Sequence, residues 1–333
     1  MSLHLPANRR NFIQQSAAVV AATTALPKLV SANEAKASTS ESLVKVLYDS
    51  LKAEQREKVC YDWDFVDPKR GLLRTRVAAN WMINPEEVKS DFYTGEQKEL
   101  IRKIFEGIVN PEWHANFDKQ MEDDCGGFGV EQSIAIFGQP GEGKFQLVLT
   151  GRHMTLRCDG DSSEHVAFGG PIFYGHAPGG DEEADHHGNV FWSQALEANK
   201  IYSMLDGKQR KAAEVAVSPA EQKVAFQGKS GQFSGIPITD LSGDQREQMQ
   251  LTLKKLVEPF RKTDQQEALK CLKTQGGLDA CHLSFFTDKD LGKDQVWDNW
   301  RLEGPSFVWH FRGAPHVHVW VNVADSDSVK LNA

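Results

Sequence analysis

The chain has no apolar run approaching the ~20 residues that a membrane-spanning helix needs, so no integral membrane segment is expected among its 333 residues. Its five cysteines (Cys60, Cys125, Cys158, Cys271 and Cys281) are odd in number and contain no CxxC pair. That argues against a cysteine zinc cluster and against a disulfide-built scaffold. No glycine-rich loop opens a helix, so nucleotide binding has no support. No nucleophile elbow is present either, which leaves serine hydrolysis unsupported. Basic blocks are also missing. With 38 basic residues against 46 acidic ones, a net charge of −8, the chain repels phosphate backbones and no nucleic-acid partner is expected.

What is present is the composition of a globular protein, 40% hydrophobic and 25% charged, after an N-terminus of a different kind. Arg9 and Arg10 are followed by Asn11, Phe12 and Ile13, then by a short Ala-rich stretch and by Val30-Ser31-Ala32. The pattern resembles a twin-arginine export signal. Residues 1–37 therefore read as signal and spacer, with cleavage after Ala32 or after Ala37, and residues 38–333 as one domain. The expected location is across the cytoplasmic membrane, periplasmic or extracellular. Loss of residues 1–32 leaves 35 basic residues against 46 acidic ones, a net charge of −11.

Within the domain, apolar spacing predicts a helix over 38–60. "TGEQKELIRKIFEGIVN", "DGKQRKAAEVA" and "SGDQREQMQLTLKKLVEPF" each begin with a capping residue (Thr94, Asp206, Ser242) and carry Gln three positions on, the spacing of a capping box. Between and after the helices lie β-rich runs. "EQSIAIFGQPGEGKFQLVLTGRHMTLRCDGD" reads as two strands joined by a turn at 139–143. Pairing Phe137 with Lys144 there brings Cys125 and Cys158 close together, within reach of a disulfide. "GPIFYGHAP", "CHLSFFTD", "DNWRLEGPSFVWHFRG" and "HVHVWVNV" are further strands. Helices among adjacent antiparallel strands make this an α+β fold with several helices packed on antiparallel sheet.

The chemistry gathers on histidine. His316 and His318, in "GAPHVHVWVNV", stand at i and i+2 of a strand, on one face and about 6.6 Å apart. Such a pair is a two-ligand clip for a metal ion or, equally, a pair of exposed or hydrogen-bonded side chains. His153, read as mid-strand with Thr155 and Arg157 on its own face, is the third candidate ligand; that polar face reads as a pocket wall or as a solvated surface. His186 and His187 belong to an acidic, glycine-bounded loop, and His176 is a candidate fourth ligand at a strand end. His310 and His282 read as structural or supporting, and Asp159-Gly160-Asp161 as a turn. Glu303, in "RLEGPSF", is the candidate catalytic base.

The segments "IAIFGQPGEGKFQLVLTGRHMTLRCDGD", "FSGIPITDLSGDQREQMQLTLKKLVEPF", "GGLDACHLSFF" and "WRLEGPSFVWHFRGAPHVHVW" resemble, in order and over residues 45–323, the family known as domain of unknown function 3500. The resemblance implies histidines at positions 153, 316 and 318, and no particular reaction. The chain departs from the family pattern around the HxH. Arg312-Gly313-Ala314-Pro315 stands where an Asn/Asp-rich turn is usual, and no Arg-Asp pair follows, so the resemblance assigns no supporting role there.

Three histidines with an open position are the donor set of a catalytic site. The expectation is an exported metalloenzyme that holds one transition-metal ion (zinc, copper or iron) on His153, His316 and His318. It would act hydrolytically or by redox chemistry on a small-molecule substrate, and lose its metal as pH falls through the imidazole range near ~6.5. The alternative is a metal-free extracytoplasmic protein that binds a small ligand, with Trp300, Phe307, Trp309 and Trp320 lining the pocket beside the histidines.

Overall fold

A computed structural model describes residues 39–160, 162–179, 186–288, 290 and 296–332. The segment read as signal and spacer lies outside them. The described helices are α1 (Ser40–Ser50), α2 (Ala53–Val59), α3 (Gly95–Ile108), α4 (His114–Cys125), α5 (Trp192–Met204), α6 (Gly207–Ala213), α7 (Gly243–Val257) and α8 (Lys262–Thr274). Helices α3, α6 and α7 start with the capping chemistry their sequences carry. Thr94, Asp206 and Ser242 accept the backbone N–H three residues on, and Gln97, Gln209 and Gln245 accept the cap residue's own N–H.

The helix expected over 38–60 is two helices, broken at Leu51 and Lys52, both extended. No glycine or proline breaks it. Side chains replace the lost helical bonds: Gln97 Nε2 donates to the Ser50 carbonyl, and Gln55 Oε1 accepts from the Lys52 N–H. Leu51 thereby turns into the core.

The strands are β1 (Cys60–Tyr61), β2 (Val66–Asp67), β3 (Gly71–Leu72), β4 (Gln132–Gly138), β5 (Phe145–Gly151), β6 (Met154–Cys158), β7 (Ile172–His176), β8 (Glu214–Val215), β9 (Ile236–Pro237), β10 (His282–Phe286), β11 (Asn299–Gly304), β12 (Phe307–Arg312) and β13 (Val317–Val323). Eleven of them form one sheet in the order β1-β4-β5-β6-β7-β13-β12-β11-β10-β8, with β9 also on β10. Among the described strands, only the β1–β4 and β8–β10 pairings are parallel. The fold is α+β, as expected, and a single domain.

Alternation along the strands separates the two faces of the sheet. On β13, Val317, Val319, Val321 and Val323 enter the large core that the sheet shares with α1, α3, α4, α5, α7 and α8. His318, Trp320 and Asn322 take the other face. That second face is rich in polar side chains yet buried: Ser133, Gln146, Thr150, Thr155, Arg157, Arg301 and Asn322 are all shielded from water. Two stretches with little regular structure, 62–93 and 216–235, cover it.

Coil at that depth leaves backbone groups in need of partners, and the polar strand residues supply them. Ser133 and Thr150 accept from the Ile83 N–H, Thr155 donates to Ala78 O, and Arg157 donates to Arg74 O and Arg76 O. Farther along, Arg301 donates to Lys223 O and Asn322 to Val224 O. The polar face is thus neither a pocket wall nor a wet surface. It is the seat of an irregular protein layer.

The β4–β5 hairpin pairs Phe137 with Gln146, two residues from the expected partner. Gly138, at φ +71°, lets the chain turn back so tightly that a Cβ there would stand 2.1 Å from Lys144 O. The proposed closeness of Cys125 and Cys158 fails for a larger reason. Cys125 ends α4 rather than extending β4, with its thiol on Met121 O, while Cys158 lies on β6 opposite Leu147. Both thiols are free.

Candidate metal centre

The strand expected to run through His153 reverses there instead. Gly151 pairs with Met154, so Arg152 and His153 form a two-residue turn between β5 and β6. His153 has φ +53°, a left-handed conformation that costs a non-glycine residue about 1–3 kcal/mol and concentrates at functional sites. The Asn80 side chain accepts the His153 N–H at 3.1 Å and helps to hold the turn.

From that turn the imidazole reaches the HxH pair. His318 lies on β13, opposite Gly175 of β7, and His316 stands just ahead of the strand. The three Nε2 atoms meet: His153 to His316 3.2 Å, His316 to His318 3.0 Å, His318 to His153 3.1 Å. The rings are splayed like propeller blades, at 62°, 63° and 69° to one another. Among the described residues this is the one group of three or more His, Cys, Asp or Glu side chains able to hold a metal ion together. Phe173 floors the cluster, its ring 5.1 Å from that of His318 and 6.3 Å from that of His153. His153 and His318 are buried and His316 half-buried, so the approach is from the His316 side.

Gly175 makes room for this. A Cβ there would lie 2.4 Å from Val317 O, 3.3 Å from His318 Cδ2 and 3.4 Å from His153 Cδ2.

Carboxylates fix which ring nitrogens converge. Asp124, at the end of α4, accepts from His153 Nδ1 at 2.7 Å, from Gln120 Nε2 at 2.6 Å and from the Ala177 N–H at 3.0 Å. Glu221, in the coil layer, accepts from His318 Nδ1 at 3.1 Å. Burial pushes both acids upward, but their histidine hydrogen bonds outweigh it. Asp124 stays below its ordinary value, and Glu221, with the charges of His318 and Arg312 added, is held down at about 2.

A carboxylate can only accept, so His153 and His318 carry their protons on Nδ1 and present Nε2 lone pairs to the centre. Burial, with His318, His153 and Arg312 nearby, pushes His316 down to about 3; burial likewise brings His318 down to about 4, against the pull of Glu221. Both rings are neutral near pH 7. His316 Nδ1 is buried and has no hydrogen-bond partner among the described residues.

The donor set fits a first-row transition ion. Ligand nitrogens ~2.0–2.1 Å from one ion lie about 3.0 Å apart at right angles and about 3.3 Å apart at tetrahedral angles, and the observed separations of 3.0–3.2 Å fall in that range. They do not choose among zinc, copper and iron.

The remaining candidates lie elsewhere. His176 has both ring nitrogens engaged, Nε2 on Asp123 at 3.0 Å and Nδ1 with the Val190 N–H at 3.1 Å, so it is no fourth ligand. His186 is buried, hydrogen-bonded to Asp298 at 2.7 Å and stacked on Trp192 at 3.7 Å, while His187 is exposed. His310 accepts from Arg301, and His282 faces Gly235 O on β10. Asp159 caps a turn through the Ser163 N–H, with Gly160 at φ +57°; Asp161 lies outside the described residues.

Glu303 does not join the cluster. It lies on β11, two strands from β13 and four residues along from the position level with His318, roughly 13 Å up the strand and about 10 Å across. Its carboxylate serves Gln227 and Arg301. The aromatics of the metal-free alternative are divided as well: Trp300, Phe307 and Trp309 belong to the helix-side core and only Trp320 to the histidine face.

Sequence reasoning missed Asp124, Glu221 and Gly175. One sign was available for Asp124. Asp123 and Asp124 occupy the last turn of α4, which holds no basic residue, against the helix dipole by roughly 0.3–1 kcal/mol each. Lys119 and Gln120, one turn earlier, reach Asp123 and Asp124 from within the helix, and His176 and His153 add donors from elsewhere in the fold.

Fold and site together define a single-domain α+β protein with a buried three-histidine cluster backed by carboxylates. The chain belongs to the family described as "Protein of unknown function (DUF3500)", whose model matches residues 33–325. Searches of curated proteins and of solved structures find no match.

Proposed function

We propose that His153, His316 and His318 bind one transition-metal ion, zinc, copper or iron, and that the protein is a metalloenzyme acting on a small-molecule substrate. The observation that carries this reading is the meeting of three Nε2 atoms within 3.0–3.2 Å while two of the Nδ1 atoms face carboxylates. Without metal, His316 alone can bring a proton to the centre, and it must divide that proton between two lone pairs. A metal ion satisfies all three nitrogens at once. When bound with a position open, such an ion supplies Lewis acidity toward water or substrate, or a redox couple. The chain's own part is to hold three neutral donors, keep their tautomers fixed and close the inner side with Phe173.

The same reading places the mature protein outside the cytoplasmic membrane, exported already folded around its metal. Arg9-Arg10 ahead of Asn11-Phe12 and the Ala-rich stretch support this. Metal analysis of the mature protein, purified without a histidine tag, tests the site: about one ion per chain is expected, as isolated or after reconstitution. Protein that takes up no transition metal under either condition refutes it. Replacing Arg9 and Arg10 by Lys tests the export reading; unchanged export refutes that part.

A further inference from the structure

We infer that the open side of the histidine cluster takes an oxyanion, a carboxylate or a group of like chemistry, and that Arg312 is the specificity-determining residue for it. The inference rests on the metal site proposed above. Arg312 stands on β12 directly opposite His318, so its side chain leaves the sheet on the histidine face. Its guanidinium is held by the cluster itself: Nη2 donates to His316 O at 3.2 Å, and Nε lies 3.2 Å from Glu221 Oε2. Nη1 has no hydrogen-bond partner among the described residues. The side chain is mostly buried, 15% exposed, on the His316 side from which the cluster is approached.

Charge points the same way. Three neutral imidazoles leave a divalent ion its full charge. Asp124 and Glu221 are the two carboxylates bonded to the rings, so with Arg312 beside them one positive charge is left over. A monoanion bound to the ion would neutralise it, and a second oxygen of that anion would have Nη1 as a donor. Arg serves such groups better than Lys because its planar donors match the spread of a carboxylate's oxygens. Phe173 presents an apolar ring beneath the imidazoles of His153 and His318.

The test uses cobalt(II), whose visible spectrum responds to exchange of its ligands, loaded into wild-type protein and into Arg312→Gln. Acetate and its neutral isostere acetamide are titrated into each. In the wild type, acetate should bind at least tenfold more tightly than acetamide. In Arg312→Gln, cobalt content should stay near one per chain and acetate affinity should fall about tenfold to hundredfold, the range of a charge-assisted hydrogen bond, with acetamide unchanged. Equal binding of the two probes by the wild type overturns the inference. So does an unchanged acetate affinity in the variant, or an equal loss for both probes. If the Gln variant does not fold, Arg312→Lys replaces it; because the charge remains and only the planar donors go, a smaller loss, about threefold to tenfold and again confined to acetate, is expected. Failure of wild-type protein to take up cobalt is seen before any anion is added, and it counts against the metal site itself.

Discussion

Replacing Asp124 by Asn should change the protonation pattern of the cluster while leaving its shape almost untouched. Every group that touches the Asp124 carboxylate is a donor: the Ala177 N–H at 3.0 Å, Gln120 Nε2 at 2.6 Å and His153 Nδ1 at 2.7 Å. Asn has one acceptor oxygen. If that oxygen stays on Ala177, the new NH2 faces His153 Nδ1, and the ring must move its proton to Nε2 to accept it. That proton then points at the centre, where a metal would bind. Loss of a carboxylate behind a ligating histidine typically weakens metal affinity tenfold to hundredfold, or about 1.4–2.7 kcal/mol. The metal-free protein should lose little, since a proton on His153 Nε2 finds lone pairs 3.1–3.2 Å away. Chelator competition with zinc or cobalt gives the affinity, and nitrogen-15 NMR of the histidine side chains gives the tautomer. An unchanged affinity, or a wild-type His153 that already carries its proton on Nε2, would refute the reasoning.

Alanine at His153, His316 or His318 should abolish most metal uptake with the fold retained, whereas His186→Ala should keep the metal and lose roughly 1–3 kcal/mol of stability, as read by metal content and thermal melting. The metal-free protein should lose stability as pH falls from 6.5 toward 4. His318, brought down to about 4 in the folded state, binds its proton later than in the unfolded chain, so the unfolded state gains by protonation across that window; the share of the loss from His318 alone is on the order of 3 kcal/mol by pH 4. The same shift moves metal release below the ordinary imidazole range near 6.5 that the sequence suggests, and a pH titration of bound metal reads this directly; release centred at 6.5 would contradict it. Gly175→Ala should cost about 1–3 kcal/mol and weaken metal binding together with it, because its Cβ meets Val317 O at 2.4 Å and both rings near 3.3–3.4 Å; equal stability and affinity would show that the backbone there has room to spare.

The three clustered histidines were legible in the sequence and their supports were not, for a definite physical reason. The HxH spacing announces a shared face because strand geometry is local, and the capping boxes of α3, α6 and α7 announce helix starts because capping is local too. His153 is marked by the polar strand residues that follow it and by family resemblance, but its turn is hidden because histidine is an unusual occupant of a left-handed position. Asp124 is 29 residues from the ring it holds and Glu221 is 97; no local pattern joins them. The sequence assigns Glu303 to a strand-forming run, but a strand assignment carries no register, and the register puts it far from the cluster. The break at Leu51 was hidden in the same way, since its cause, Gln97, belongs to another helix.

The polar strand face is the most instructive misreading, because it links fold to site. Alternating polar residues on a strand show only that one face needs hydrogen-bond partners; they do not say whether water, a ligand or the protein's own backbone provides them. Here coil provides them, and the same coil reaches the histidine cluster. Asn80, from the first coil stretch, holds the His153 turn, and Glu221, from the second, sets the His318 tautomer. The rings themselves come from the sheet and its β5–β6 turn, and Asp124 from a helix on the opposite side. Three layers therefore meet at the three nitrogens, each fixed by contacts that the others supply. A loose surface clip of histidines could turn aside when its metal left. Rings fastened through Asp124 and Glu221 are held in place by contacts within the protein, so their convergence belongs to the fold itself.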